Sequence, residues 1–162
     1  MHPAKRAPAS PATPPRLALD RFLPYRLAVL AREISVALAK KYQADLGISI
    51  PEWRVIAHIA EVGTCSSGEL CARTAMDKAK VNRAVTRLVA AGLVLAEISD
   101  RDRRLNVLKL TARGCRVYER VVPMALDHER ALLDALSEAE RRELMRIIGK
   151  LQEHVKKLWG LR

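Results

Sequence analysis

The amino-acid sequence predicts a mainly α-helical fold with one small β-hairpin. Apolar residues recur at the spacing of helical turns in most of the chain, which indicates a series of amphipathic helices. Residues 93–98 and 105–110 instead form two short aliphatic and β-branched runs of strand length, and a polar turn separates them. A chain of 162 residues is long enough to form one compact unit with a substantial core.

Residues 1–16 differ in composition from the rest of the chain. They contain five of the eight prolines, together with alanine, serine and three basic residues, which predicts a disordered basic arm over residues 1–18. No apolar run has the length of a signal-peptide core or of a membrane span, which needs roughly 20 residues. We therefore expect a soluble, cytoplasmic protein.

The first long helix is predicted from Leu19 to Ala44, and Gly47 is the residue expected to end it. Large aliphatic side chains recur along it every three or four residues, so that one face is a continuous apolar stripe. The stripe consists of Leu23, Leu27, Leu30, Ile34 and Leu38.

Two shorter helices are predicted from capping boxes, in which a serine precedes a glutamate by three residues. The box at Ser49 begins a helix that continues to about Val62, and the box at Ser66 begins one that continues to about Thr74. In the first of these helices the predicted core face is Val55, Ile56 and Ile59, the predicted polar face is Arg54, His58 and Glu61, and Trp53 lies on the flank.

The next helix is predicted to begin after Asp77, which can accept hydrogen bonds from free backbone N–H groups, and to end at Gly92. Helical spacing places Val81, Val85, Leu88 and Gly92 on the core face. The outward residues combine Asn, Arg, Thr and Ala, side chains that can contact base edges in a DNA major groove, with no acid after Asp77. They are Ala79, Asn82, Arg83, Thr86 and Ala90, with Lys80 and Arg87 on the flank.

The predicted hairpin turn, residues 99–104, contains three arginines and two aspartates. Guanidinium groups at a hairpin tip suit phosphates or a narrow minor groove, whose negative potential attracts arginine. The aspartates are interpreted as turn formers that also orient the arginines.

After the hairpin, Thr111 is predicted to start a long helix that Pro123 should kink or interrupt, because the proline ring clashes with the preceding turn. Ser137 is predicted to cap a last helix. The apolar stripe of this last helix consists of Leu144, Ile147, Ile148, Leu151, Val155 and Leu158.

Positive charge is concentrated in one part of the chain. Overall, 29 Lys and Arg residues face 18 Asp and Glu residues, a formal net charge of +11. Between Arg73 and Arg116, eleven residues are basic and four are acidic, so most of the excess falls in this segment. Such a distribution is typical of a phosphate-binding surface.

Catalytic and metal-binding motifs are missing from the sequence. The cysteines Cys65, Cys71 and Cys115 have no metal-binding spacing, and there is no nucleophile elbow, P-loop or dinucleotide fingerprint. We therefore expect no enzyme activity, no metal and no cofactor. Reduced, structural cysteines are the default interpretation, and Cys65, placed in a turn beside Ser66, is the cysteine expected to be most exposed.

The order of these elements resembles the winged helix-turn-helix of the MarR family of bacterial transcription regulators. The resemblance covers roughly residues 20–159, and similar motifs occur at 51–56 (Pro-Glu-Trp-Arg-Val-Ile), 74–78 (Thr-Ala-Met-Asp-Lys), 82–85 (Asn-Arg-Ala-Val), 102–104 (Asp-Arg-Arg) and 110–114 (Leu-Thr-Ala-Arg-Gly). Two departures stand out. Ser99-Asp100 replaces a frequent Asp-Pro, and Ala79, Lys80 and Asn82 replace frequent small hydroxyl residues, so the base preference cannot be carried over.

The resemblance implies a division of the chain into four parts. Residues 1–18 form the arm, 19–48 a dimerisation helix, 49–110 the winged helix-turn-helix DNA-binding unit and 111–162 the remaining dimerisation helices. In the implied symmetric homodimer, two DNA-reading helices lie about one DNA turn apart and match a pseudo-palindromic operator.

The resemblance also implies a function, a ligand-responsive transcription factor that is most often a repressor. Two alternatives remain open at this point, a constitutive architectural DNA-binding protein and a repressor switched by cysteine oxidation. The DNA contacts expected on residue type and position are Ser67, Lys78, Lys80, Asn82, Arg83, Thr86, Arg87, Arg101, Arg103 and Arg104.

Small aromatic acids often bind such regulators between the dimerisation helices and the DNA-binding unit. A histidine and an arginine could hold the carboxylate and aromatic side chains could stack on the ring, so the candidate effector residues are Tyr25, Arg32, Trp53 and His58. The alternative for each is ordinary packing or a solvated helix face.

Overall fold

The computed structural model describes residues 16–98 and 106–160 of the protein. The elements in these residues are α1 (Leu23–Leu46), α2 (Ile50–Val62), β1 (Thr64–Ser66), α3 (Ser67–Thr74), α4 (Lys78–Ala90), β2 (Val94–Ile98), β3 (Asn106–Leu110), α5 (Ala112–Leu133) and α6 (Glu138–Trp159). The mainly helical fold with a small β wing is thus confirmed. The predicted arm, up to residue 15, and the hairpin tip, residues 99–105, lie outside the described residues.

The chain divides into two compact units, and the boundary between Ile34 and Ser35 falls inside α1. The first unit holds the N-terminal part of α1. The second holds all the other helices and strands. No helix in the described ranges is both long enough and apolar enough to cross a membrane.

Local capping interactions begin the helices where the sequence predicted them. The backbone N–H and the hydroxyl of Ser49 both donate to Glu52 Oε2 at 2.6 Å. The backbone N–H of Ser66 donates to Glu69 at 2.7 Å, and that of Ser137 donates to Glu140 at 2.8 Å. These bonds satisfy N–H groups that a helix start otherwise leaves without partners.

The core of the second unit forms around α2. Val55, Ile56 and Ile59 are completely buried, as predicted for this face. On α4 the fully buried residues are Val81, Ala84 and Leu88, whereas Val85 is only half-buried and Gly92 is exposed. The predicted core face is therefore confirmed at Val81, Val85 and Leu88, since Val85 packs against the core, and was wrong at Gly92. Ala84, which was not predicted for this face, is buried where α4 packs against α2 and α3.

The three strands form an antiparallel sheet in the order β1-β3-β2. Strand β1 was not predicted, and it pairs Cys65 with Leu108 of β3. Cys65 is only 5% exposed, so its predicted position in an exposed turn is wrong; Cys115 is the exposed cysteine. Burial raises the pKa of the Cys65 thiol to about 11, which disfavours the reactive thiolate.

Helix α5 runs through Pro123 without a break, so the expected interruption does not occur. The three long helices, α1, α5 and α6, carry large apolar side chains that the described chain leaves exposed. Helix α6 has no buried residue, and Leu151 in its predicted stripe is 40% exposed. Further exposed members of these helices are Leu23, Leu27, Leu30, Leu126, Leu132, Leu144, Ile147, Ile148 and Leu158.

Candidate DNA interface and effector site

Helix α4 presents the predicted DNA-reading residues to solvent. Asp77 caps the helix by accepting the Lys80 backbone N–H at 2.7 Å, and this hydrogen bond lowers the pKa of the Asp77 carboxyl. Packing of Val81, Ala84 and Leu88 into the core turns the opposite face outward. All six candidates on this helix are exposed, namely Lys78, Lys80, Asn82, Arg83, Thr86 and Arg87.

The exposed face of α4 keeps most of its positive charge uncompensated. Lys80 Nζ lies 3.3 Å from Asp77 Oδ2, an exposed ion pair that contributes little energy. In the described ranges, no carboxylate lies within ion-pair distance of Lys78, Arg83 or Arg87. These three side chains can therefore turn to phosphates or base edges without first breaking a salt bridge.

Helix α3 contains Ser67, a further DNA-contact candidate among the described residues. Ser67 is its first residue and is half-buried, while Ser66 accepts the Glu69 backbone N–H as the cap. The Ser66 hydrogen bonds, the backbone one above all, lower the pKa of the Glu69 carboxyl and keep it ionised at the helix start. Helix α3 packs directly against α4, so both belong to one structural unit.

The base of the wing is held beside α4 by the sheet. Strand β2 follows α4 after a short turn and pairs along its whole length with β3. Across these strands, Lys109 Nζ lies 2.7 Å from Glu97 Oε1. The predicted contacts Arg101, Arg103 and Arg104 lie beyond the two strands, in the segment outside the described residues.

A compact set of hydrogen bonds joins α5 to the end of α4. The Thr111 hydroxyl donates to the carbonyl of Gly92 at 2.8 Å and accepts the Gly114 backbone N–H at 2.9 Å. Arg113 also donates to the Ala91 carbonyl at 3.3 Å. Gly114 is buried, and a Cβ atom added there would collide with the Leu93 carbonyl oxygen. The motif at 110–114 thus fixes how α5 lies against the segment between α4 and β2.

The candidate effector residue Trp53 is packed into an aromatic cluster. Its ring centroid lies 6.0 Å from that of Tyr118, with the planes nearly parallel at 21°, and 6.0 Å from that of Tyr42, tilted by 44°. Burial raises the pKa of Tyr42 to about 12, so its phenol stays protonated. The cluster ties together α2, α5 and the C-terminal part of α1, and sequence spacing could not have revealed it because the three residues are distant in the chain.

His58 does not lie on a solvated face. It is only 9% exposed, so the prediction that it belongs to the polar face of α2 is wrong. Its Nδ1 atom lies 3.9 Å from Glu61 Oε2. His58 lines an open cleft of about 900 Å³ whose other lining residues include Arg73 of α3 and Lys156 of α6. Trp53 is not among the lining residues, so the two α2 candidates have different surroundings.

The other two effector candidates belong to the first unit. Tyr25 is 47% exposed and lines a shallow apolar groove along α1 with Leu23, Leu27 and Leu30. Arg32 is exposed on the same helix. Their role as effector contacts stays a prediction from the sequence.

Sequence reasoning passed over three arginines of α5. Arg113, Arg116 and Arg120 line a cleft together with Arg87 at the end of α4. Their spacing of three and four residues places them on one helix face, and this spacing is a signal that could have identified them from the sequence. In the described residues no group of three or more His, Cys, Asp or Glu side chains could hold a metal ion.

Comparison with known proteins gives the same assignment at the level of family. A family model described as MarR family matches residues 46–105. An HTH-type transcriptional repressor of Mycobacterium tuberculosis is 29% identical over 131 residues, which are 80% of this chain and 91% of the relative.

Two solved structures extend the comparison to the fold. A MarR/EmrR family transcriptional regulator from Acinetobacter is 27% identical, with a TM-score of 0.78 over 87% of this chain and 99% of the other. BpsR of Bordetella bronchiseptica, whose DNA binding is regulated by 6-hydroxynicotinic acid, is 25% identical, with a TM-score of 0.68 over 78% of this chain and 98% of the other. The protein is thus similar to transcriptional regulators of the MarR family, in sequence over residues 46–105 and in fold over most of its length.

Proposed function

We propose that the protein is a homodimeric repressor that binds a pseudo-palindromic operator in the cytoplasm and leaves it when a small aromatic acid binds. The observation that carries the DNA-binding part is the outer face of α4. That face holds Lys78, Arg83 and Arg87 exposed and without ion pairs in the described chain, next to Asn82 and Thr86. Arginine and asparagine are the side chains best suited to bidentate contacts with guanine and adenine.

Support for a dimer comes from the three long helices. Helices α1 and α6 each expose a row of aliphatic side chains, and α5 exposes Leu126 and Leu132. Exposed apolar rows of this extent mark surfaces that another molecule covers. A second copy is the proposed partner because two symmetric subunits present two α4 helices to one operator.

Support for release by an aromatic acid comes from BpsR and from the surroundings of His58. BpsR responds to 6-hydroxynicotinic acid, a ring that carries a carboxylate. In the present chain, Arg73 and Lys156 line the same cleft as His58 and could hold such a carboxylate. Trp53 lies on α2, as His58 does, and packs on Tyr118 of α5, so we expect its fluorescence to report ligand binding. The effector weakens DNA binding by as much as it prefers the DNA-free conformation.

The DNA-binding part is tested by selecting sites from a random DNA library and measuring binding isotherms at physiological salt on selected and scrambled DNA. A specific repressor binds the selected DNA roughly 10³-fold or more tightly. An architectural protein would bind both equally, which would refute the proposal. A switch at Cys65 is not proposed, because that thiol is buried and its pKa is raised.

The effector part is tested with 6-hydroxynicotinic acid as the probe. We expect the acid to change the fluorescence of Trp53 and to release the selected DNA. His58→Ala should lose this release while retaining DNA affinity, since His58 lies on α2 and not on the exposed face of α4. Arg32→Ala tests the sequence-based candidate on α1 in the same assay, and His154→Ala, at an exposed position of α6, is the matched control. Normal release in His58→Ala would show that the effector site lies elsewhere.

A further inference from the structure

A separate cleft of about 440 Å³ lies where the end of α4, the first half of α5 and the segment between α1 and α2 meet. Its apolar floor includes Ile48, Leu88 and Leu93, all nearly completely buried. The volume falls within the roughly 300–1,000 Å³ that small-molecule sites typically have. The rim, in contrast, is strongly charged.

Four arginines converge on this rim. Arg113, Arg116 and Arg120 come from one face of α5, and Arg87 comes from the last turn of α4. In the described parts of the chain, no carboxylate lies within ion-pair distance of any of the four. Within residues 16–98 and 106–160, the one hydrogen bond of these guanidinium groups is the bond from Arg113 to the Ala91 carbonyl. Most of their donors are therefore available to a ligand.

Two carboxylates also line the cleft, but they do not neutralise it. Glu52 is buried and its Oε2 atom already accepts two hydrogen bonds from Ser49, so it serves the start of α2. Asp45 is exposed. Four guanidinium charges against two carboxylates leave a net charge of +2 over an apolar floor. Like charges held close together favour a bound anion that offsets them.

We propose that this cleft is a second effector site, which binds a small organic dianion with an apolar body, such as an aromatic dicarboxylate. Planar guanidinium groups bind carboxylates with two parallel hydrogen bonds, and the apolar floor accepts the body. Occupation weakens DNA binding because Arg87 cannot hold the ligand and contact DNA at the same time. This last step rests on the proposed function, whereas ligand binding itself does not.

The binding step is tested by calorimetric titration of the full-length protein, without DNA, using phthalate as the dianion, benzoate as the monoanion and benzamide as the neutral analogue. We expect phthalate to bind more tightly than benzoate, and benzamide not to bind. The double variant Arg116→Gln/Arg120→Gln should lose at least about 10-fold in phthalate affinity, since two charge-assisted contacts are removed. Asp45→Asn should bind phthalate more tightly, because a nearby negative charge is gone.

The matched control is Arg142→Gln/Lys150→Gln, which removes the same charge from exposed positions of α6. Its affinity for phthalate should change less than about 2-fold, because screened charges outside the cleft contribute little. Absence of phthalate binding at millimolar concentration, or equal losses in both double variants, would overturn the proposal. Thermal melts verify that each variant is folded.

The coupling step is tested by titrating phthalate into the complex with selected DNA. Wild-type protein should release the DNA, and Arg116→Gln/Arg120→Gln should not. Phthalate that binds in the cleft without affecting DNA affinity would overturn the effector role. If the double variant loses affinity for scrambled DNA and phthalate never binds, the cleft is part of the DNA-backbone surface and the proposal is wrong. A protein that binds no DNA at all would refute the proposed function, while the titration without DNA still decides the site.

Discussion

Gly114 lies where the first turn of α5 touches the backbone just before β2. Thr111 donates to the Gly92 carbonyl and accepts the Gly114 N–H, and this pair of bonds brings the two backbones together. No side chain fits at residue 114, because its Cβ would meet the Leu93 carbonyl, which is backbone and cannot rotate away. Glycine is required here for close approach rather than for an unusual backbone angle.

Gly114→Ala should therefore destabilise the protein by about 2 kcal/mol or more, as expected for overpacking against a rigid neighbour. The control is Gly149→Ala on α6, where an added Cβ meets nothing within 4 Å. That change should stabilise the helix by about 0.5–1 kcal/mol, because alanine loses less backbone entropy. Urea unfolding measures the free energy of unfolding of both variants. A Gly114→Ala variant as stable as Gly149→Ala would contradict the close approach.

Local sequence signals are sufficient to predict where the helices begin. Ser49, Ser66, Asp77 and Ser137 all cap the helices that the sequence assigned to them, because a capping interaction involves residues only three apart. His58 was assigned to the wrong environment, since burial depends on how the helices pack and not on the spacing of residues within α2.

At the scale of elements, α4 and the wing divide the expected recognition of DNA between them. Helix α4 carries exposed Asn82, Arg83 and Thr86, which suit base edges. The wing strands β2 and β3 lead to the arginine-containing segment, whose expected contacts are phosphates or the minor groove. The two elements should therefore differ in how strongly they contribute to sequence preference.

Arg83→Ala should lose about 1–3 kcal/mol on the selected site and bind scrambled DNA with nearly unchanged affinity, because a bidentate base contact is removed. Arg103→Ala should weaken binding to both DNAs similarly and flatten the salt dependence by about one unit, since a phosphate contact is removed. Isotherms at several salt concentrations separate the two. Arg142→Ala, exposed on α6, is the control. Wild-type affinity in both variants would exclude α4 and the wing from the interface.

The sheet contains one strand, β1, that could not be predicted from the sequence. Strands β2 and β3 were predicted because each is a run of aliphatic residues beside a polar turn. Strand β1 has three residues, too few for alternation to be recognised, and its partner β3 lies about 40 residues further along the chain. Likewise, Ala84 is buried more completely than Val85, because the way α4 packs against α2 and α3 sets the core face, not the size of the side chain.

At the scale of the whole molecule, the main feature is the exposed rows of aliphatic side chains on α1 and α6. Leu144, Ile147, Ile148 and Leu151 follow one another on α6, and each is at least 38% exposed. The capped start of α6 at Ser137 shows that the helix is regular, so its exposed apolar stripe is a surface rather than a local irregularity. A homodimer that covers these rows is the arrangement we propose.

Leu151→Asp should separate the subunits or unfold the protein, because an unpaired carboxylate is costly in an apolar interface. Operator affinity should fall with it, since each half-site is read by one subunit. Gln152→Asp places the same charge on the neighbouring exposed position of α6 and should leave a dimer. Sedimentation at micromolar concentration measures whether each variant is a monomer or a dimer. A wild-type protein that sediments as a monomer there would refute the dimer.

The most direct test of the central claim, that two α4 helices of one dimer read two half-sites, is to change the spacing of the half-sites. Inserting five base pairs between them turns one half-site to the opposite face of the DNA, because a DNA turn has roughly 10–10.5 base pairs. We predict that the affinity of wild-type protein for this DNA falls to that for a single half-site, and that inserting a full turn of ten base pairs does not rescue it fully, since the subunit spacing is fixed. An affinity that is unchanged by the five-base-pair insertion would contradict the account.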